Sequence, residues 1–325
     1  MNKRWTSDDI VDQTGNVAIV TGGNSGIGFE TARALARKGA EVILACRDDV
    51  KGDAARVRIV GELPSANVTV ERLDLSSLAS VKAFAERFRE THDRLDLLIN
   101  NAGVMATPFV RTEDGFELQF ATNHLGHFAL TAELLERLVA TPGSRVVNVS
   151  SIAHRIGRIR LDNLRGEKRY RRWLAYGQSK LANLLFTYEL QRRFEAAGVS
   201  SRALAAHPGW TATNLQADVG IARAMNPLMA QSAEMGALPT LYAATAPEAQ
   251  GGDYIGPGGL FEWRGHPKKV GSNRRSHDRE SAERLWTESE KLADVTFRFG
   301  NAAPSASINS AAKSAAALST ASAAL

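Results

Sequence analysis

The chain has 325 residues, 44% hydrophobic and 23% charged, with a formal charge of +5 and one cysteine. That length exceeds a typical single domain but suits one α/β sheet with helices on both faces. The modest basic excess fits either a phosphate-bearing ligand or an arginine-rich solvated surface. It is not backed by zinc-type Cys/His spacing, leucine heptads or basic runs interleaved with aromatics, so nucleic-acid binding has little support. A lone Cys46 rules out an intrachain disulfide, and its apolar surroundings make it a buried thiol rather than a nucleophile.

No metal-ligand spacing is present. The N-terminus has no apolar core for a signal peptide, and no segment has the length and apolarity of a membrane span. A cytoplasmic protein without a membrane anchor is the expectation.

Short β-rich runs alternate with helical ones. A strand at 17–21 precedes a helix at 26–38, whose apolar face is Phe29, Ala32, Leu35 and Ala36 and whose stop is Gly39. A strand at 41–46, a helix at 50–63, a strand at 68–73 and a helix at 77–89 follow. Further strands are predicted at 95–100, 145–150 and 202–206, separated by long helices at about 116–140 and 174–197. Near-continuously apolar strands separated by helices predict a single doubly wound parallel sheet, a Rossmann-like α/β fold. Past Pro208 the pattern weakens to a helix at 225–245, a short strand at 254–255 and a helix at 281–292. From Asn301 the composition falls to Ala and Ser, so we expect one domain over 1–300 and a disordered or partly helical tail over 301–325.

The turn Gly22-Gly23-Asn24-Ser25-Gly26-Ile27-Gly28 leaves the first strand and opens the first helix. Glycines there allow a tight turn and close approach of the backbone to a pyrophosphate at the helix N-terminus, the arrangement of a dinucleotide site. The second strand ends Ala45-Cys46-Arg47. An arginine at that point suits the 2′-phosphate of NADP, whereas a carboxylate would suit the ribose hydroxyl of NAD. Asp48 and Asp49 follow at once and keep NAD open. Downstream, Tyr176 and Lys180 lie four apart on one helix face. An ammonium beside a phenol favours phenolate, which suits proton exchange with an alcohol or carbonyl.

With the glycine turn, Asp74, Asn100-Asn101-Ala102-Gly103, Asn123, Ser151, Tyr176, Lys180 and Pro208-Gly209 in this order, the chain resembles the short-chain dehydrogenase/reductase family over about 14–292. Ala45-Cys46-Arg47-Asp48, the run Asn123-His124-Leu125-Gly126-His127-Phe128 and Leu181-Ala182-Asn183 are similar to its retinol-dehydrogenase-like branch. The resemblance implies that Asp74 and Leu75 contact the adenine and that Asn101, Ala102 and Gly103 line the cofactor's ribose side. Tyr176 would then be the general acid/base. Lys180 would bind the nicotinamide ribose and lower the tyrosine's pKa, Ser151 would hold the substrate oxygen, and Asn123 would hold a relay water. Pro208, Gly209, Thr211 and Thr213 would border the nicotinamide carboxamide.

The chain as read is an NADP(H)-dependent oxidoreductase of a C–OH/C=O group, NAD remaining possible. The alternatives are a non-catalytic dinucleotide sensor, which would typically lack the tyrosine or lysine, and an epimerase or dehydratase, which normally has another glycine spacing. Trp210, Leu215, Val219, Ile221, Met225, Leu228 and Met229 suggest an apolar cover over a lipophilic substrate. Apolar faces at 125–139 and 181–194 could pair in a homodimer or pack on the sheet. Between Ser151 and Tyr176, 25 apart, the arginine-rich segment 155–172 is either solvated surface or a basic rim at the active-site mouth.

Overall fold

The computed structural model describes residues 4–211 and 231–299. Thr213, the apolar positions from Leu215 to Met229 and the Ala/Ser segment 301–325 lie outside the described residues. Within them, eight strands form one sheet in the order β3-β2-β1-β4-β5-β6-β7-β8. β1 (Val17–Thr21), β2 (Glu41–Cys46) and β3 (Val68–Arg72) are linked by α1 (Gly26–Arg37) and α2 (Asp49–Glu62). α3 (Leu78–Thr91) leads to β4 (Leu97–Asn100), which pairs with β1 on the side away from β2. This reversal of strand order opens a crevice at the carboxyl ends of β1 and β4, where open α/β sheets bind ligands. β5 (Arg145–Val149), β6 (Arg202–Ala206) and β7 (Tyr254–Pro257) continue in parallel.

The expected doubly wound sheet is therefore present. Both its faces are buried: Val17 and Ile19 enter one core, Ala18 and Val20 the other. β8 (Pro267–Lys269) adds an antiparallel edge. Pro267-Lys268-Lys269 has no apolar alternation to reveal a strand, and proline and lysine are tolerated at an edge.

The single helix expected over 116–140 is instead broken. Glu117 accepts from the N–H groups of Gln119 and Phe120, starting α4 at Leu118–Phe120. A π turn at Ala121–Leu125 follows, then α5 (Gly126–Glu133) and α6 (Leu135–Ala140). Such turns recur at functional sites, and this one carries Asn123. α7 (Arg172–Ala196) is the longest helix described; α8 (Ala233–Thr245) and α9 (Arg279–Ala293) complete the chain's described order.

The apolar faces of α5 and α7 are not free. α9 and the residues after it lie over them: Trp286 meets Phe128 at 5.2 Å and Phe186 at 5.7 Å, and Phe297 packs on Trp286 at 4.3 Å between ring centroids. The stripe that could have served a dimer is thus used within one chain, because α9 supplies the complementary aromatic face. Among the described residues no helix is long and apolar enough to cross a membrane.

Candidate active site

At the end of β1 the chain turns through Gly22, in the left-handed region at φ +66°. A Cβ on Gly28 would stand 2.3 Å from the Gly22 carbonyl oxygen, so only glycine lets the turn close on α1. Ser25 occupies the N-cap of α1 without capping through its side chain, and Asn24, Gly26 and Ile27 complete the rim. The turn is fastened to the end of β4. Thr21 Oγ1 accepts from the N–H groups of Asn101 and Ala102, both at 2.9 Å, and Asn101 Nδ2 donates to the Thr21 carbonyl at 2.8 Å. This glycine cradle has the form a pyrophosphate requires.

Asp74 spends one carboxylate oxygen on the N–H and hydroxyl of Ser76, at 2.9 and 2.6 Å, which shapes the turn after β3. Next to it, the Leu75 carbonyl abuts Gly126 so closely that a Cβ there would be 2.3 Å away. At the end of β2, Asp48 caps α2 and pairs with Lys51 at 3.1 Å, while Asp49 pairs with Arg72 at 3.4 Å. Both carboxylates that could have served a ribose are engaged. No carboxylate among the described residues is within ion-pair reach of the exposed Arg47. Cys46 is buried and its thiol pushed up to about 11, which keeps it protonated and unreactive.

The carboxyl ends of β4 and β5 carry the reactive groups. Ser150 and Ser151 are neighbours with opposite surroundings. Ser150 is buried and donates to the Lys180 carbonyl at 2.8 Å. Ser151 is half-buried, caps a short turn of helix by accepting from Ala153 N–H at 3.2 Å, and lies close enough to Tyr176 to draw the phenol's pKa down. The second serine, not the first, faces the tyrosine.

Lys180 donates to the Val149 carbonyl at 3.0 Å, alongside Asn183 at 3.1 Å, and its nitrogen stands 5.8 Å from the Tyr176 ring centroid. Burial dominates, pushing Tyr176 up to about 12 against the opposing pull of Ser151, and pushing Lys180 down to about 8.

Asn123 is held on both sides of its amide. Its two amide hydrogens go to the Val104 carbonyl and Ser179 Oγ, both at 2.9 Å, and Oδ1 accepts from Val104 N–H at 2.7 Å. The side chain clamps the backbone after Gly103. His127, quoted above only as part of a resemblance, joins this clamp to the glycine turn: Nδ1 meets the Asn123 carbonyl at 3.1 Å and Nε2 meets Thr21 Oγ1 at 2.9 Å.

The fourth wall is the turn after β6. Gly209 has φ +65°, and a Cβ there would stand 2.3 Å from the Trp263 carbonyl. Pro208 offers its carbonyl to Thr211 Oγ1 and Gln231 Nε2, both at 2.7 Å. Sequence reasoning missed what holds this turn. Buried His207 accepts from Gly209 N–H at 3.2 Å and donates to Glu262 at 3.0 Å, and Glu262 also pairs with Arg155 at 3.0 Å. Glu262 and Phe261 both stand in the left-handed region, at φ 59° and 52°. One carboxylate thus joins the segment after Ser151 to the turn at Gly209.

Glu262→Ala is expected to lower stability by about 1–3 kcal/mol, offset in part by relaxation of the two strained residues. Glu262→Gln should lose less, because its oxygen still accepts from His207. Urea denaturation checks the order. His207 and Arg155 hold the Glu262 carboxyl below its ordinary value, so its contribution is complete above about pH 4.5 and fades as pH falls through the depressed pKa. Burial keeps His207 low and neutral, which works in the same direction, so acid weakens this join.

A crevice at a sheet's switch point, a glycine cradle and a Ser–Tyr–Lys group at the ends of the neighbouring strands define a nicotinamide-dinucleotide oxidoreductase. The short chain dehydrogenase family model matches residues 16–224. Retinol dehydrogenase 12 of Mus musculus is 44% identical over 289 residues, covering 87% of this chain and 88% of that protein. Retinol dehydrogenase 13 of Homo sapiens is 45% identical over 293 residues, covering 86% and 85%. The crystal structure of an uncharacterised protein from Mycobacterium Paratuberculosis superposes with a TM-score of 0.78 at 47% identity, covering 91% of this chain and all of that one. The chain belongs to the short-chain dehydrogenase/reductase family, in its retinol-dehydrogenase-like branch, and is an NAD(P)-dependent enzyme.

Proposed function

We propose that the protein transfers hydride between NADP(H) and the C–OH/C=O carbon of a lipophilic alcohol, aldehyde or ketone, with Tyr176 exchanging the proton. The observation that carries this reading is the buried Tyr176–Lys180 pair, the lysine nitrogen 5.8 Å from the tyrosine ring centroid and close against Gly103. The cofactor, when bound, donates or accepts the hydride. Ser151 orients the substrate oxygen toward the phenol. Tyr176, protonated at neutral pH with its pKa near 12, is suited to give its proton to an oxygen gaining negative charge, which favours carbonyl reduction. Lys180, fixed by Val149, presents its ammonium where ribose hydroxyls can accept, and the Asn123 clamp holds Gly103 beside it. Asp74, Leu75, Asn101 and Ala102 line the adenosine side, and Pro208, Gly209 and Thr211 the carboxamide side.

A lipophilic substrate is supported by the retinol dehydrogenases among the relatives and by the apolar residues between Leu215 and Met229. A substrate panel read with NADPH and NADH by loss of nicotinamide absorbance tests the proposal; no turnover of any carbonyl or alcohol would count against it.

NADP preference is supported by the free Arg47 and by the engagement of Asp48 and Asp49. Replacing Arg47 by Ser is expected to weaken NADPH about 10- to 100-fold, the equivalent of one or two charge-assisted bonds. NADH should change little. Equal losses for both cofactors, measured by fluorescence titration, would assign Arg47 no part in the choice.

A further inference from the structure

The basic segment 155–172 is not accounted for by hydride transfer. It holds eight basic residues against Asp162 and Glu167, an excess of six, when the whole chain carries only +5. Arg155 is paired with Glu262 and Lys168 with Asp162, and Arg165 lies over the Phe116 ring at 4.8 Å. Arg158, Arg160, Arg169 and Arg171 have no carboxylate within ion-pair reach among the described residues. All four line one cavity of about 590 Å³ between this segment and the start of α7. Its volume falls in the range of about 300–1,000 Å³ common to small-molecule sites.

The rest of the lining is largely apolar, with Ile159, Leu164 and Leu174. Glu117 also reaches the cavity but does not neutralise it. Its oxygens already accept from Gln119, Phe120 and Tyr170, and burial favours its uncharged form. Nor does Arg171 serve the helix, since a cation at the N-cap of α7 opposes its dipole. Leu174 and Gln178 line the cavity, whereas Tyr176, Ser151 and Lys180 do not. On a helix those two positions face away from Tyr176 and Lys180.

We propose that this cavity binds an amphipathic anion, an acyl chain ending in a carboxylate or phosphate, at a site separate from the catalytic tyrosine. Guanidinium groups match such heads bidentately, and the apolar lining takes the chain. The inference does not rest on the oxidoreductase reading, and its test needs no turnover.

The full chain carrying Tyr176→Phe is titrated calorimetrically with dodecanoate, dodecyl phosphate and dodecanol, and sedimented with phosphatidylglycerol or phosphatidylcholine vesicles. The two free anions are expected to bind at least about tenfold more tightly than the neutral alcohol, and less tightly as salt rises. Arg158→Ser, Arg169→Ser and Arg171→Ser combined should remove that advantage without changing the thermal melt. Leu174→Glu should weaken the anions by closing the apolar side. Arginine-dependent binding of monomeric amphiphile alone identifies a soluble lipid as the source; sedimentation with phosphatidylglycerol alone identifies a bilayer headgroup. Equal binding of dodecanoate and dodecanol, an undiminished affinity in the arginine variant, or no binding in either arm overturns the proposal.

Discussion

Tyr176→Phe is expected to lower kcat by about 10²–10⁴-fold, the usual contribution of a positioned proton donor. The change is local. The ring is buried, with Trp173 packed edge-on at 6.3 Å, and phenylalanine retains that packing. Of the neighbouring side chains, only Ser151 is placed to act on the lost hydroxyl. Dinucleotide binding through the glycine cradle should persist, so fluorescence titration of NADPH and single-turnover kinetics separate the two effects. A variant with full turnover would remove Tyr176 from the mechanism; one that no longer binds NADPH would point to a folding defect.

The pH profile of the native enzyme adds a second reading. Lys180, lowered to about 8, is charged below that pH and neutral above it, so a rate that depends on its ammonium declines as pH rises through about 8. Tyr176, near 12, should contribute no step in that range. A flat profile from about pH 7 to 10 would show that the lysine's charge is not used.

The second large effect is on stability. Trp286→Ala is expected to cost about 3–5 kcal/mol, the range for truncating a buried aromatic. Trp286 is 2% exposed, joins the rings of Phe128, Phe186 and Phe297, and lies under the Arg193 guanidinium at 4.1 Å. Its indole N–H is buried with no hydrogen-bond partner among the described residues. Trp286→Phe therefore loses ring area but also relieves an unsatisfied donor, and should cost much less than the alanine variant. Equal urea midpoints for native and alanine proteins would show that α9 does not hold the faces of α5 and α7.

Local signals were legible because they depend on neighbours in sequence. The glycine turn needs its glycines at fixed spacing, and a one-turn Tyr–Lys pair follows from helix geometry. The strands reveal a parallel sheet because both faces are apolar. Where expectation failed, a distant contact had intervened. The helix expected over 116–140 is interrupted by a π turn at Ala121–Leu125 and again at Leu134. Within that π turn Asn123 is held by Val104 and Ser179, from two other segments. Spacing gives the proximity of Tyr176 and Lys180 but not their burial, which raises the one pKa and lowers the other.

The sequence by itself determined the fold class, the cradle, the Tyr176–Lys180 pair and the position of Arg47, all of them set by short-range geometry and alternation. The tertiary structure supplied the reason for Ser151 over Ser150, which the family resemblance had already indicated: Ser150 is buried and gives its hydroxyl to the Lys180 carbonyl. It alone joined Arg155 to His207 through Glu262, more than fifty residues beyond either. It also packed Trp286 of α9 on Phe128 of α5 and Phe186 of α7. Such choices are made by long-range complementarity of shape and charge, which no local pattern of residues encodes.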